Sequence, residues 1–309
     1  MTQAGRTPVL HRIGQAPRRD FGPRQPLTTT HHHGQLLRRS DGRLGLVRIS
    51  KNASSELVDR LACSVLCPFH AHHGPVVAFF RNPVRRFLSS IPETLLRVTY
   101  AEIADPWNAD RVICPEDVYH ELCAIAGRDI PALLEGFVDL VEYAFFDAHH
   151  EPQLSFLTDR RGRLRIDPHV YAVETLERDL AAISARFGIA VAATTAPRNV
   201  GGQKPEKGRT FLRDLLRRAT GTGGYHRLAH AGPLGVRYGM ADRHGVLLRP
   251  MTRFELNGLA NRFAQELRKH EPGPGLVRRI RRLYASDETV WEQLRASGGD
   301  HPLSDLLAA

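Results

Sequence analysis

The chain has 309 residues, 42% of them apolar and 25% charged, and its 43 Lys and Arg outnumber 33 Asp and Glu for a net charge of +10. This length and balance fit one large α/β domain with extensions and a substantial core, and they exclude a fibrous or low-complexity chain. No apolar run reaches membrane-spanning length, and the excess charge, nearly all of it Arg, suits phosphate, sulfate, acidic glycan or nucleic acid without choosing among them.

In chain order, residues 1–40 are rich in Pro, Arg, Gln and Thr and read as a flexible arm, with 41–309 as a single domain behind it. Apolar runs predict strands over 44–50 and 75–80, each followed by a helix, over 54–67 and 83–97, as in parallel α/β units. Residues 115–146 read as helical, with Pro131 breaking them into two pieces. Short strands are predicted over 154–157 and 169–173, then an amphipathic helix over 174–187 that stops at Gly188. The stretch 197–208 is a Gly/Lys/Pro loop, and 234–238 with 246–249 could form a hairpin. Two helices, 253–269 and 276–296, close a helical C-terminal region.

The four cysteines carry no metal or redox spacing. Cys63 and Cys67 fall four apart on the predicted first helix and read as buried thiols, and Cys114 and Cys123 flank another helix. Four reduced cysteines and an N-terminus with no apolar signal region imply a cytoplasmic protein. No compact basic run with interleaved aromatics marks a nucleic-acid groove. His70, His72, His73 and the His149–His150 pair lack zinc-ligand spacing, so no metal is expected.

Two turns carry the chemistry. After the first strand come Lys51, Asn52, Ala53, Ser54 and Ser55, a small-residue turn whose backbone N–H groups could receive a phosphate, with Ser54 and Ser55 as helix caps. The spacing is not that of a Walker A loop, because Lys51 precedes the small residues. After the second strand come Arg81-Asn82-Pro83, then Arg86, Ser89 and Ser90. Asn82 and Pro83 suit a helix start, Arg86 shares a helix face with Ser89 and Ser90, and Arg81 points into the crevice where open α/β sheets bind ligands. An Arg fork beside a Ser hydroxyl would hold a phosphate dianion.

This pair resembles the 5′-phosphosulfate and 3′-phosphate motifs of PAPS-dependent sulfotransferases, the second matching R-[DN]-P-x-x-R-x-x-S. Three later pieces are similar to the carbohydrate branch, the chondroitin, dermatan and HNK-1 type enzymes and their bacterial relatives. These are His149-His150-Glu151-Pro152-Gln153, similar to H-W-x-P-Q; Tyr171 through Leu180; and Tyr284-Ala285-Ser286-Asp287, similar to a closing Y-x-x-D. His150 stands where that branch has Trp, and about 201–274 has no counterpart, as if an atypical insertion.

The resemblance implies a P-loop-like parallel sheet flanked by helices, the sulfotransferase fold. It implies transfer of a sulfuryl group from PAPS, with PAP as product, to an acceptor hydroxyl of a carbohydrate or glycan. Lys51 would stabilise the leaving oxygen, Asn52, Ala53, Ser54 and Ser55 would cradle the 5′ phosphosulfate, and Arg81 and Ser89 would hold the 3′ phosphate. His149 would be the base, with His150, His72 and His73 as rivals, and Arg198 and Asn199 would lie on a loop over the nucleotide. A P-loop kinase-like enzyme and a noncatalytic basic glycan- or nucleic-acid-binding protein are the other readings.

Overall fold

Val76-Val77-Ala78-Phe79-Phe80 is apolar at every position, and all five side chains are buried. Such a run is what a strand covered on both faces requires. The computed structural model describes residues 34–99, 129–143, 149–159, 161–193, 228–230, 232–243, 246–251 and 253–308. In chain order the strands are β1 (Gln35–Arg39), β2 (Gly45–Arg48), β3 (Cys63–Cys67), β4 (Val76–Phe80), β5 (His169–Ala172), β6 (Leu228–His230), β7 (Val246–Met251) and β8 (His301–Pro302). The helices are α1 (Ser54–Arg60), α2 (Pro83–Thr99), α3 (Ile130–Tyr143), α4 (Leu176–Phe187), α5 (Gly232–Arg237), α6 (Arg253–Lys269), α7 (Pro274–Leu283), α8 (Ala285–Ser297) and α9 (Leu303–Ala308).

A mixed six-stranded sheet runs in the order β3-β1-β2-β4-β5-β8. The pairings β2–β4 and β4–β5 are parallel, whereas β1 pairs antiparallel with both β2 and β3, and β8 pairs antiparallel with β5, so the sheet is mixed and not wholly parallel as expected. The chain leaves β2 towards β3 on one side and leaves β4 towards β5 on the other. The carboxyl ends of β2 and β4 therefore flank a topological switch point, the crevice where open α/β sheets take ligands.

Each sheet face has its own core. Leu46, Val77, Phe79 and Tyr171 pack with Leu57 of α1 and Leu180 and Ile183 of α4. Val47, Ala78, Phe80 and Val170 pack on the other face with Phe156, with Val290 and Leu294 of α8, and with Leu303 and Leu306 of α9. Burying each such side chain contributes roughly 1.5–3 kcal/mol. Arg60, at the end of α1, is buried and forks onto Glu177 of α4 while its Nε donates to the Ala192 carbonyl at 3.1 Å.

Several expectations need correction. The first helix stops at Arg60, because Ala62 adopts a left-handed φ of 53° and releases the chain into β3. Cys63 and Cys67 are buried free thiols as expected, but on that strand and not on a helix. Within the stretch read as an arm, residues 35–39 form β1; residues 1–33 lie outside the described residues. The expected break at Pro131 is met on one side: Pro131 sits in the first turn of α3, where its missing N–H has no helical partner to lose, while residues 115–128 lie outside the described residues. The segment read as a strand over 154–157 is a 3-10 turn, Gln153–Phe156.

The predicted hairpin is also different. Residues 232–237 are helical, and β7 pairs instead with β6. The last long helix is two, α7 and α8, broken at Tyr284, whose φ of −115° and ψ of 35° leave the helical region. The turn Gly298-Gly299-Asp300, left-handed at all three residues, then returns the chain to β8 at the sheet edge. Described parts of 201–274 pack onto α2 through α5 and α6. Among the described residues no helix is long and apolar enough to cross a membrane.

Candidate functional site

The turn after β2 is built from strained backbone. Lys51 has φ 66° and Ala53 φ 54°, left-handed positions that cost a non-glycine residue about 1–2 kcal/mol each. Left-handed residues flank Asn52, whose own N–H donates back to the Ile49 carbonyl at 3.4 Å and tightens the turn. Asn52 holds the shape: its side chain is 1% exposed, and Nδ2 donates to the Phe79 carbonyl at 2.6 Å and to Gln153 Oε1 at 2.5 Å. The expected caps are absent, since Ala53 occupies the N-cap of α1 and no side chain bonds there. Ser54 and Ser55 open the helix, the first half-buried and the second exposed. With seven residues α1 supplies little dipole to the turn that precedes it.

Across the switch point, Arg81 follows β4. Its NH1 donates to the Lys51 carbonyl at 3.0 Å and to Ser89 Oγ at 3.2 Å, and Ser89 Oγ donates to the Arg86 carbonyl at 2.8 Å. The Arg81 guanidinium thus joins the Lys51 backbone, 30 residues before it, to the Ser89 hydroxyl, 8 residues after it. Asn82 caps α2 as expected, its Oδ1 accepting from the Arg85 N–H at 3.0 Å. Burial holds the Arg81 guanidinium below its ordinary value; the charges of Arg85, Arg86 and Arg268 push the same way, and Glu174 opposes them. An anion placed there would relieve that repulsion.

Arg86 does not join Ser89 at the crevice. It is 1% exposed, its Nε donates to the Ser50 carbonyl at 3.0 Å, and its NH1 donates to the Glu151 carbonyl. Ser90 is likewise buried, its hydroxyl donating to the Phe87 carbonyl at 2.6 Å. Both are internal braces.

Gln153 is the hub that the sequence did not single out. Its Oε1 accepts from the Arg81 N–H at 2.8 Å as well as from Asn52, and its Nε2 donates to the Arg81 carbonyl at 3.0 Å. Its own N–H donates to Asp287 Oδ2 at 2.6 Å, and Leu154 N–H to Oδ1 at 3.1 Å. The Tyr284 hydroxyl donates to the His150 carbonyl. Glu174 accepts from the Asn82 N–H at 2.9 Å with one oxygen and from the Trp291 indole at 3.2 Å with the other. Burial raises the Asp287 carboxyl and the Tyr284 hydroxyl above their ordinary values, Asp287 being drawn back by its backbone donors and by Arg86.

His149 lies in the turn just before this hub and is half-buried. His150 is fully buried, edge-on to Phe137 with ring centroids 5.9 Å apart, a packing position. His70, His72 and His73 precede β4, and His72 Nε2 contacts the Pro75 carbonyl at 3.2 Å. They stand at the amino end of a five-residue strand, roughly 15 Å from its carboxyl end, which removes them as rivals for chemistry in the crevice. Arg198 and Asn199 lie outside the described residues. Among the described residues no group of three or more His, Cys, Asp and Glu could hold a metal.

Comparison of the chain with family models, curated proteins and solved structures finds no match.

Proposed function

We propose that the protein transfers a sulfuryl group from PAPS to a hydroxyl of a carbohydrate acceptor, releasing PAP. One observation carries this reading. Five segments, at 50–55, 81–89, 149–153, 171–180 and 284–287, resemble sulfotransferase motifs. Four of them are joined through Gln153 and its partners, and the fifth reaches Asn82 through Glu174, all at one end of β2, β4 and β5. A resemblance that was accidental would have no reason to assemble in space.

In this reading the turn at Asn52, Ala53, Ser54 and Ser55 receives the 5′ phosphosulfate through its N–H groups, and Arg81 with Ser89 receives the 3′ phosphate. The acceptor oxygen forms a bond to sulfur as the bond from sulfur to the bridging oxygen of the 5′ phosphate breaks, and the electron pair leaves on that oxygen. Lys51 stabilises the charge that appears there. His149 takes the acceptor proton. The two described cysteines are free thiols, in keeping with a reducing, cytoplasmic setting.

A comparison of thermal shifts by PAP, ATP, a sulfated glycan and an oligonucleotide tests the assignment. PAP should stabilise the protein most. A larger shift with ATP would favour a kinase-like enzyme, and a shift with polyanions alone would favour a noncatalytic basic binding protein.

His149→Ala should lower transfer by about 10²–10⁴-fold, the usual contribution of a positioned base, with PAP affinity retained. His150→Ala opens a cavity beside Phe137 and should act on stability instead. If the His150 variant lost transfer while a folded His149 variant kept it, the base would be misassigned.

A further inference from the structure

Beside the donor crevice, at the carboxyl ends of β4 and β5, lies a cavity of about 440 Å³ bordered by Asn82, Arg85, Glu174, Arg178, Trp291 and Arg295. Its size falls within the range of small-molecule sites. Three guanidinium groups face one carboxylate there, and both Glu174 oxygens are already engaged by Asn82 and Trp291. Arg178 is held by Asp179 at 2.9 Å and by the Gly298 carbonyl at 2.8 Å. Arg85 and Arg295 form no ion pair among the described residues; Arg295 stacks over the Trp291 ring at 5.0 Å, and both are exposed. Arg295 is thereby held over a rigid indole, while its N–H donors remain available. Forked donors around a partly open cleft match a planar or tetrahedral oxyanion.

We propose that this cavity is a second oxyanion site, distinct from the donor corners, and that it receives a carboxylate or sulfate carried by the acceptor. The acceptor assignment rests on the sulfotransferase reading; the anion site does not. Glu174 links the two places physically, since it touches Asn82 of the donor side and Trp291 of the cavity floor. An acceptor anchored there by its anion would present a hydroxyl towards the crevice next to Arg81. A neutral sugar would lack the anchor.

The chain has two tryptophans, so a Trp107→Phe background makes Trp291 the sole indole and its emission a reporter of the cavity. Inorganic sulfate titrated into this protein should change that emission. Arg85→Gln/Arg295→Gln should weaken sulfate at least tenfold, and Arg81→Ala, altered only in the donor corner, should change it less than twofold. Equal sulfate affinity in the double variant, or an equal loss in Arg81→Ala, would overturn the site. Glucuronate should compete with sulfate and glucose should not; failure of glucuronate to compete would overturn the acceptor assignment. A protein that ignores PAP yet passes the sulfate arms would refute the sulfotransferase reading and leave the anion site standing.

Discussion

Lys51→Ala should reduce turnover at saturating PAPS by about 10²–10³-fold, the cost of removing one charged stabiliser of a developing oxyanion. PAP affinity should fall far less. The reason is where the charge appears: the bridging oxygen becomes fully anionic only as its bond to sulfur breaks, so the ammonium contributes most in the transition state. The backbone makes the comparison clean. Lys51 sits at φ 66°, where alanine carries much the same penalty as lysine, so the substitution changes the side chain and little of the turn's strain. PAP release from PAPS in the presence of a carbohydrate acceptor is the readout. A variant with weakened PAPS binding and unchanged saturated rate would make Lys51 a binding residue only.

Arg86→Met should destabilise the fold by about 3–5 kcal/mol, the range seen when one partner of a buried charged network is removed. Two carbonyls, Ser50 and Glu151, would lose their donor, and the guanidinium would be lost from beside the Phe156 ring, 5.7 Å away. Asp287 would lose a cation that draws its carboxyl down. Burial already raises that carboxyl, and the variant should raise it further. A carboxyl with a folded-state pKa above its unfolded value binds protons preferentially when folded. Its favourable contribution is therefore complete below the unfolded value and is lost as pH rises through the folded value. The deficit of the variant against wild type should accordingly shrink as pH is lowered towards the carboxylate range. Denaturant unfolding at a series of pH values measures this; a deficit under 1 kcal/mol, or one that grows on acidification, would refute the role given to Arg86.

The parts of the fold that follow from local pattern were legible. The continuous apolar run of β4, the Asn82-Pro83 start of α2 and the Gly188 stop of α4, at φ 60°, all rest on neighbours in sequence. What escaped depends on long-range pairing. β1 and β8 are short strands whose partners lie far along the chain or across a turn, and Cys63–Cys67 has an apolar pattern that a helix could equally use until Ala62 turns left-handed. At the site, Lys51, Arg81 and Ser89 could be named because Lys51 and Arg81 follow strand ends and Ser89 lies two helical turns beyond Arg81, all local spacings. Arg86 was misread because its spacing matched Ser89, whereas its burial is set by the 149–153 segment. Gln153, Glu174 and Asp287 were visible only as letters of motifs; their work is to hold distant backbone groups, and nothing local signals that.

The most direct test is calorimetric titration of PAP and AMP into the wild-type protein and Arg81→Ala. The two nucleotides differ by the 3′ phosphate, so AMP reports the Lys51 turn alone and the difference reports Arg81 and Ser89. A charge-assisted bond of roughly 1.5–3 kcal/mol predicts that wild type prefers PAP by about ten- to a hundredfold. Arg81→Ala should erase most of that preference while keeping its AMP affinity. Equal affinity of wild type for PAP and AMP, or an unchanged preference in Arg81→Ala, would contradict the account.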